Sequence, residues 1–281
     1  MTAGFRVALC NEVVRALDFA AQCRLAAALG YDGLEVAPFT LSETPDALSE
    51  TEIRSLRRIA EAEGVAISGL HWLLIRPAGL SLTDPDPALR ARTAAVMARL
   101  VDLCAGLGGN YLVHGSPVQR RLPEERAARA DAAGWAAEAF HAAGRAAAAA
   151  GVTYCIEPLS RNETDYVNSI AEAAAVIGTP APPGLATMLD VSAATREEGE
   201  SPAALAARWL PSGLIGHVHL NDTSRRGPGQ GDVPIAPVIA ALRQGGYGGW
   251  LGVEPFDYVP DGPGAAARAI GYVRGIEAAL V

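Results

Sequence analysis

Hydrophobic residues along this chain form short runs that alternate with longer segments in which apolar positions recur at helical spacing. The short runs are typical of strands, and the longer segments, rich in alanine and leucine, are typical of helices. The predicted strands are 5–10, 33–37, 65–70, 111–114, 152–157, 185–190, 214–220 and 250–254. The predicted helices are 13–29, 49–63, 87–107, 124–150, 169–177, 202–209, 234–243 and 264–280. This alternation predicts an α/β fold, a (β/α)8 TIM barrel.

Glycine follows five of the predicted helices, at the position where a C-terminal cap is expected. These glycines are Gly30, Gly64, Gly108, Gly151 and Gly245. No change of composition, flexible linker or run of charge divides the chain. Barrels of this kind commonly occupy such a length as one unit, so we expect a single domain over residues 1–281.

Polar residues stand at or near the carboxyl end of nearly every predicted strand. They are Glu35, His71, His114, Glu157, Asp190, His219 and Glu254. The carboxyl ends of barrel strands share one rim, which is where barrel enzymes hold their active sites. Any one of these residues alone is more often a hydrogen-bonding loop group than a ligand. Their convergence on one rim is what indicates a functional site.

Three carboxylates on that rim predict a metal centre, because burying Glu157, Asp190 and Glu254 together is costly unless a cation compensates them. His217 and His219 lie two apart on a strand and share a face. We expect His219, nearer the rim, to be the fourth ligand and His217 to pack one layer deeper; the alternative is that both are structural. Such a hard donor set suits one divalent ion, Mn²⁺ first, with Mg²⁺, Co²⁺ or Zn²⁺ as alternatives.

Composition excludes several other classes of protein. The net charge of −8 comes without a lysine- or arginine-rich block, so a nucleic-acid partner is disfavoured. Four scattered cysteines fit reduced, buried thiols rather than disulfides or a zinc knuckle. The first ten residues lack the pattern of a secretory leader, and no apolar run reaches the roughly 18 residues of a membrane span. We therefore expect a soluble, cytoplasmic protein without a membrane partner.

Several of these motifs resemble the xylose isomerase-like TIM barrels, and the resemblance covers nearly the whole chain. Its sharpest part is residues 156–164, Ile-Glu-Pro-Leu-Ser-Arg-Asn-Glu-Thr, which is similar to the fifth-strand motif of ketose 3-epimerases such as D-tagatose 3-epimerase. Residues 188–190, 219–222 with Arg225, 229–231 and 252–255 match further motifs. The resemblance implies a divalent-metal-dependent sugar isomerase or epimerase that acts on a ketose or related keto sugar.

Carried over position by position, the resemblance implies metal ligands Glu157, Asp190, His219 and Glu254, with Glu157 and Glu254 also serving as the catalytic acid/base pair. Proton transfer between these two carboxylates would pass through a metal-stabilised enediolate. Glu163 and Arg225 match substrate-contacting positions, although an exposed loop glutamate is ordinary in any protein. The sequence leaves epimerisation and aldose–ketose isomerisation open.

The chain also departs from the pattern of its relatives. Ketose 3-epimerases carry a histidine three residues after the sixth-strand aspartate, and here that position is Ala193. Endonuclease IV, in the same superfamily, needs that histidine and a second one where this chain has Pro234. His71, His114 and Asp232 match other ligands of its trinuclear zinc site, but one metal site alone is complete. The nuclease alternative is therefore weakened, and the recognition of the sugar is left open.

Other rim residues are candidates for holding the sugar. His71 and His114 would hold substrate hydroxyls or polarise the carbonyl, and Trp72 and Phe256 would cover an apolar face of the ring; for all four, a packing role is the equal alternative. The loop from Arg225 is either an anion cradle or a simple tight turn. Alternatives to an isomerase are a lyase or dehydratase acting on a keto sugar or inosose, and a sugar-binding barrel without catalysis. Dimers are common among the proteins that this chain resembles, and its own oligomeric state stays open.

Overall fold

Eight parallel strands, hydrogen-bonded in sequence order, close into a barrel in the computed structural model, which describes residues 4–280. The strands are β1 (Arg6–Cys10), β2 (Gly33–Val36), β3 (Ala66–Leu70), β4 (Tyr111–His114), β5 (Thr153–Ile156), β6 (Leu185–Asp190), β7 (Ile215–Leu220) and β8 (Trp250–Val253). Strand β8 pairs with β1, with Ala8 opposite Gly252. The predicted (β/α)8 barrel is confirmed, and all eight predicted strands are present to within one residue at each end.

Helices surround the barrel. They are α1 (Phe19–Leu29), α2 (Glu50–Ala62), α3 (Pro87–Leu107), α4 (Arg129–Ala150), α5 (Ile170–Ile177), α6 (Val191–Glu197), α7 (Pro202–Trp209), α8 (Ile235–Gln244) and α9 (Gly262–Ala279). Helix α6 was not predicted, because it begins directly from the end of β6 with no intervening loop. In the described part of the chain, no helix has the length and apolar character needed to cross a membrane.

Capping residues determine where the helices begin and end, and they explain differences from the predicted ends. Asp18 accepts a hydrogen bond from the backbone of Ala21 at 2.8 Å, so α1 begins after Asp18 and not at residue 13. Ser49 and Glu52 form a reciprocal capping box at the start of α2. At the end of α8, Gly245 has a φ of −77° and the left-handed position is taken by Gly246 at 71°. Gly245 is the C-cap of α8, as predicted, but the left-handed turn that follows the helix falls one residue later, at Gly246.

Apolar side chains pack in two layers. The larger layer lies between the strands and the surrounding helices. A smaller cluster fills the barrel interior, and its members are Ala8, Tyr111, Val113, Cys155, Ala186, Met188 and Trp250. All four cysteines are buried free thiols, as the sequence predicts. The interior cluster forms a floor, above which the inward-facing residues become polar.

The layer between strands and helices should carry much of the stability. Leu100 of α3 is completely buried, so we expect Leu100→Ala to lower the free energy of unfolding by about 2–5 kcal/mol, through lost contacts and the cavity left behind. Val118 is 65% exposed, and Val118→Ala should cost less than about 0.5 kcal/mol. Urea denaturation of both variants checks the difference, and equal effects would contradict this account of the core.

Candidate metal and substrate site

Four buried side chains meet at the carboxyl rim of the barrel. Glu157 follows β5, Asp190 ends β6, His219 lies on β7 and Glu254 follows β8. One candidate ligand atom from each lies within 4.8 Å of the others. Nδ1 of His219 is 3.0 Å from Oε2 of Glu254, and 3.8 Å from both Oε1 of Glu157 and Oδ2 of Asp190. The structure thus brings together the four residues predicted as ligands.

Negative charge is in excess in this cluster. Burial, and then the charges of Glu157 and Glu254, raise the pKa of Asp190 to about 8. Burial likewise raises the pKa of Glu254. Burial alone lowers the pKa of His219, but the charges of Glu254 and Glu35 outweigh it and raise that pKa well above its usual value. Three carboxylates and one imidazole therefore form a site that a cation would stabilise.

Neutral donors from neighbouring elements hold the carboxylates in place. Asn221 donates from Nδ2 to Oδ2 of Asp190 at 2.6 Å, and the backbone N–H of Ala193 donates to Oδ1 at 2.7 Å. Trp72 donates from its indole nitrogen to Oε1 of Glu254 at 3.1 Å. Because Asp190 is also the N-cap of α6, one side chain both joins the cluster and starts that helix.

Arg120 supports the cluster from behind. Its guanidinium is completely buried and donates to the backbone oxygen of Glu157 at 2.7 Å and, more weakly, to that of His114 at 3.5 Å. The side chain thereby joins the carboxyl ends of β4 and β5. Burial lowers the pKa of Arg120 to about 10, so the group remains a cation at neutral pH.

A second polar layer lies directly below, centred on Glu35 of β2. Oε1 of Glu35 accepts a hydrogen bond from Nε2 of His219 at 2.8 Å. Oε2 accepts from Nε2 of His217 at 3.1 Å and from the hydroxyl of Tyr111 at 2.7 Å. Burial alone would raise the pKa of Glu35, but His217 and His219 outweigh it and hold that pKa well below its usual value. Glu35 therefore lies beneath the rim, not on it.

A buried pair of a histidine and a glutamate lies beside this layer. Nε2 of His71 donates to Oε2 of Glu12 at 2.8 Å, and the His71 ring is completely buried. Burial alone lowers the pKa of His71, but Glu12 outweighs it and raises the pKa to about 9. His71 is therefore a buried cation paired with Glu12, and it does not reach the cavity above the cluster.

A cavity of about 270 Å³ opens above the four-residue cluster, close to the lower end of the range for small-molecule sites. Its wall includes Glu157, Asp190 and Glu254 at the base, and Trp72, Ala193, Phe256, Glu163, Arg196 and Arg225 higher up. Glu163 is exposed and accepts a hydrogen bond from the hydroxyl of Ser160 at 2.8 Å. The predicted contacts Glu163 and Arg225 thus face the same space as the cluster.

The backbone of Arg225 is held in an unusual conformation. Its φ is 68°, a left-handed value that is rare outside glycine. The carbonyl of Arg225 accepts the backbone N–H groups of Phe256 at 2.8 Å and Asp257 at 2.7 Å. Its guanidinium lies 5.3 Å from the ring centre of Phe256, in cation–π contact. These contacts aim a positive side chain along the aromatic wall of the cavity.

The placement of His114 does not fit its predicted role. Tyr111 and Val113 face the barrel interior, so strand alternation turns His114 outwards. There its Nδ1 meets the hydroxyl of Tyr154 at 2.7 Å, and the ring packs edge-on against Phe140 of α4. Burial, followed by Arg120, lowers the pKa of His114 well below its usual value. His114 is a neutral residue of the outer layer and does not line the cavity.

Sequence reasoning missed the side chains that support the cluster. Asn221 stands two residues after His219, and this short spacing was a usable signal. Glu12 follows an apolar strand after a single intervening residue, Asn11, and this position was also a usable signal. Nothing in the sequence marks Arg120, a surface type of residue that the β4–α4 connection buries. Asp232 is exposed and outside the cavity wall.

Comparison with known proteins places this arrangement in a family. The model of the xylose isomerase-like TIM barrel family matches residues 23–276. The chain is 29% identical to the D-psicose 3-epimerase of Agrobacterium fabrum, over 82% of this chain and 76% of that protein. It is 27% identical to the D-psicose 3-epimerase of Ruminiclostridium cellulolyticum, over 82% of this chain and 75% of that protein.

Solved structures agree on the fold. The 3-keto-D-glucoside 4-epimerase of E. coli superimposes with a TM-score of 0.81 at 19% identity, over 96% of this chain and 99% of that one. A D-psicose 3-epimerase gives 0.76 at 23% identity, over 93% and 94% of the two chains. This chain belongs to the xylose isomerase-like TIM barrel family. Its relatives over most of its length are named as sugar epimerases or, in one case, as a putative hydroxypyruvate isomerase, which confirms the predicted class of enzyme, an isomerase or epimerase.

The buried His71–Glu12 pair should make stability depend on pH. The folded-state pKa of His71, about 9, exceeds the value of about 6.5 in an unfolded chain. Its stabilising contribution is therefore fully present below about pH 6.5 and is lost as the pH rises through about 9. That difference corresponds to about 3 kcal/mol.

We expect Glu12→Gln to remove most of this dependence, because the variant loses the carboxylate that hydrogen-bonds His71, and Glu35, whose Oε1 lies 3.8 Å from Nδ1 of His71, contributes less. Between pH 6.5 and 9.5 the free energy of unfolding of the wild type should fall by about 3 kcal/mol relative to that of the variant. Urea denaturation in EDTA at several pH values measures both. If the free energies of unfolding of the wild type and the variant changed with pH in parallel, His71 would not be a cation stabilised by Glu12.

Proposed function

We propose that this chain is a divalent-metal-dependent epimerase of a ketose or a related keto sugar, with Glu157 and Glu254 as its acid/base pair. One observation carries the proposal: two buried glutamates, Glu157 and Glu254, belong to the four-residue cluster at the base of a cavity of about 270 Å³. A cavity of this size favours a single small sugar. The names of the Agrobacterium and Ruminiclostridium relatives support a ketose as substrate and inversion as the reaction.

The residues present fit a divalent ion. The three carboxylates of the cluster are buried, and the raised pKa of Asp190 and of Glu254 shows that their charges are not fully compensated. Nδ1 of His219 is buried without a well-directed hydrogen bond. Glu157, Asp190, His219 and Glu254 would hold the ion, and their oxygen-rich set favours Mn²⁺, with Mg²⁺, Co²⁺ or Zn²⁺ as alternatives. When bound, the ion supplies positive charge that stabilises negative charge developing on sugar oxygens.

The separation of the two glutamates around the barrel supports their assignment as an acid/base pair that acts on two faces of the sugar. Glu157 follows β5 and Glu254 follows β8, with β6 and β7 between them. One carboxylate removes the proton from the carbon beside the carbonyl group, which leaves an enediolate of the sugar. The other glutamate, which starts in the protonated form, gives its proton to the opposite face, so the configuration at that carbon is inverted and the two glutamates end with their protonation states exchanged. General acid/base catalysis of this kind contributes roughly 10² to 10⁴ in rate.

Other side chains bind and cover the sugar. The indole nitrogen of Trp72 fixes Oε1 of Glu254 and leaves Oε2 on the side of the cluster. Trp72 and Phe256 pack edge-to-face at 6.0 Å and form an aromatic wall that excludes water from the reacting carbon. Glu163 and Arg225 reach the cavity from its rim and are placed to hydrogen-bond sugar hydroxyls. His71 pairs with Glu12 below the cavity, and neither His71 nor His114 lines the cavity, so neither is assigned a contact with the sugar.

Replacing either proposed acid/base group should stop turnover. We expect Glu157→Gln and Glu254→Gln to lower kcat by at least about 100-fold, because an amide cannot move the proton. Glu61 is an exposed glutamate of α2 paired with Arg57, and Glu61→Gln serves as the matched control. Proton NMR of a ketose panel in D₂O, with Mn²⁺ present, measures turnover, and circular dichroism checks folding. Near-normal turnover in either glutamate variant would contradict the proposal.

The same experiment separates epimerisation from elimination. An epimerase yields the inverted ketose with deuterium at the reacting carbon, whereas a lyase or dehydratase yields an unsaturated product that has lost water or an aglycone. Aldose–ketose isomerisation would appear as a new aldehyde signal. Only the first result supports the proposal as stated.

Metal removal gives an independent check. Dialysis against EDTA should abolish turnover, and adding Mn²⁺ should restore it. The ion should also raise Tm, because it binds the folded state and relieves repulsion among three buried carboxylates. A chain with no stabilisation by Mn²⁺ and no turnover would instead be a sugar-binding barrel without catalysis.

A further inference from the structure

Glu35 occupies the centre of the barrel, directly under the four-residue cluster, and is completely buried. Both of its oxygens are used by donors from other strands. His219 and His217 of β7 each donate through Nε2, at 2.8 Å and 3.1 Å, and Tyr111 of β4 donates through its hydroxyl at 2.7 Å. A carboxylate that ties three side chains from two distant strands is a structural centre of the site.

We infer that Glu35 is a positioning residue for the metal site, and that it acts by deciding which ring nitrogen of His219 faces the carboxylates. A carboxylate can only accept hydrogen bonds, so Nε2 of His219 must carry a proton. Nδ1 is then the one nitrogen that can offer a lone pair. This inference rests on the metal centre of the proposed function.

The position of Nδ1 agrees with this role. It lies 3.0 Å from Oε2 of Glu254 and 3.8 Å from an oxygen of both Glu157 and Asp190. Yet it makes no well-directed hydrogen bond, although it is buried. Hydrogen bonding of one histidine nitrogen to a carboxylate, while the other binds a metal, fixes the tautomer and the ring orientation.

Local backbone features make room for Glu35 at this depth. Glu35 faces the barrel interior by ordinary strand alternation, because its neighbours Leu34 and Val36 pack in the outer layer, and the pairing of β2 with β3 skips Ser68 of β3 at this point. Opposite, Gly252 of β8 leaves space: a Cβ there would overlap Oε2 of Glu35 and lie 2.8 Å from Cδ2 of His219. Only glycine fits at this point of β8 while the carboxylate stays in place.

The groups that bind Glu35 are themselves fixed. The ring of Tyr111 stacks on His217 with 3.9 Å between centres and 20° between planes. Its hydroxyl also meets Oγ of Ser68 at 2.9 Å. Glu35 is therefore held from three sides, which is what a residue that orients another side chain requires.

The test compares Glu35→Gln with Glu12→Gln. Glu12 is the matched control, because it is also a buried carboxylate bonded to a histidine at 2.8 Å, and that histidine, His71, is not one of the four proposed ligands, although both side chains come within 4.8 Å of Glu254. Isothermal titration of the metal-free proteins with MnCl₂ and ZnCl₂ gives the dissociation constants. We expect Glu35→Gln to weaken binding by roughly 10- to 100-fold, and Glu12→Gln by less than about threefold.

Nitrogen-15 NMR of the zinc-loaded proteins reads the ring directly and does not depend on activity. In the wild type, Nε2 of His219 should carry a slowly exchanging proton and Nδ1 should show the shift of a metal-bound nitrogen. In Glu35→Gln the Nε2 proton should exchange faster. Unchanged affinity, an equal loss in Glu12→Gln, or a proton on Nδ1 in the zinc-loaded wild type would each overturn the inference.

A second variant covers the case in which Glu35→Gln does not fold. Tyr111→Phe removes one donor to Glu35 and leaves the carboxylate, so metal affinity should fall by roughly fivefold. No change in that variant overturns the inference. If the affinity for Mn²⁺ depends on Glu35 as expected but the wild type turns over no ketose, the proposed function alone is refuted. A wild type that binds no divalent ion overturns both the inference and the metal dependence of the proposed function, whereas unchanged affinity in Glu35→Gln together with ketose turnover by the wild type overturns the inference alone.

Discussion

Buried negative charge at the centre of the barrel is the constraint on which the rest of the site depends. Below the rim, each carboxylate is matched by histidine: Glu12 by His71, and Glu35 by His217 and His219. At the rim, three carboxylates share a single imidazole. The surrounding side chains supply neutral donors, so they orient these oxygens without cancelling their charge. What remains is a deficit of positive charge at the base of the cavity, where a substrate would enter.

The fold was accessible from the sequence because barrel strands are buried on both faces and stand out as short apolar runs. Their ends could be placed to within one residue, since the following polar residue marks the rim. Helix starts were less accessible. The periodic pattern upstream of Asp18 continues to residue 13, but the capping aspartate ends it, and a 3₁₀ turn takes its place. Helix α6 was invisible because its seven residues are too short to show a period.

The site was accessible only in part. Residues that come directly after buried strands could be placed on one rim, and Glu157, Asp190, His219 and Glu254 do meet there. Depth along the barrel axis was not accessible: Glu35 stands near the end of its strand, as the rim residues do, yet its oxygens bond Nε2 of His217 and His219 beneath the cluster. His114 was misplaced although the strand pattern held the answer, since the inward residues of β4 are Tyr111 and Val113. Long-range partners such as Arg120 depend on how loops fold over the rim and leave no local pattern.

Asp190 joins two tasks that most proteins give to separate residues. One oxygen belongs to the charged cluster, and the other holds the first turn of α6, whose residues Ala193 and Arg196 form part of the cavity wall. The candidate metal site and the start of α6 therefore depend on the same side chain. Under the proposed function, binding of the ion at the cluster would be transmitted to the shape of the cavity wall that would contact the sugar. Substitutions that change which sugar is accepted would then occur in α6, while Asp190, which caps that helix, stays unchanged.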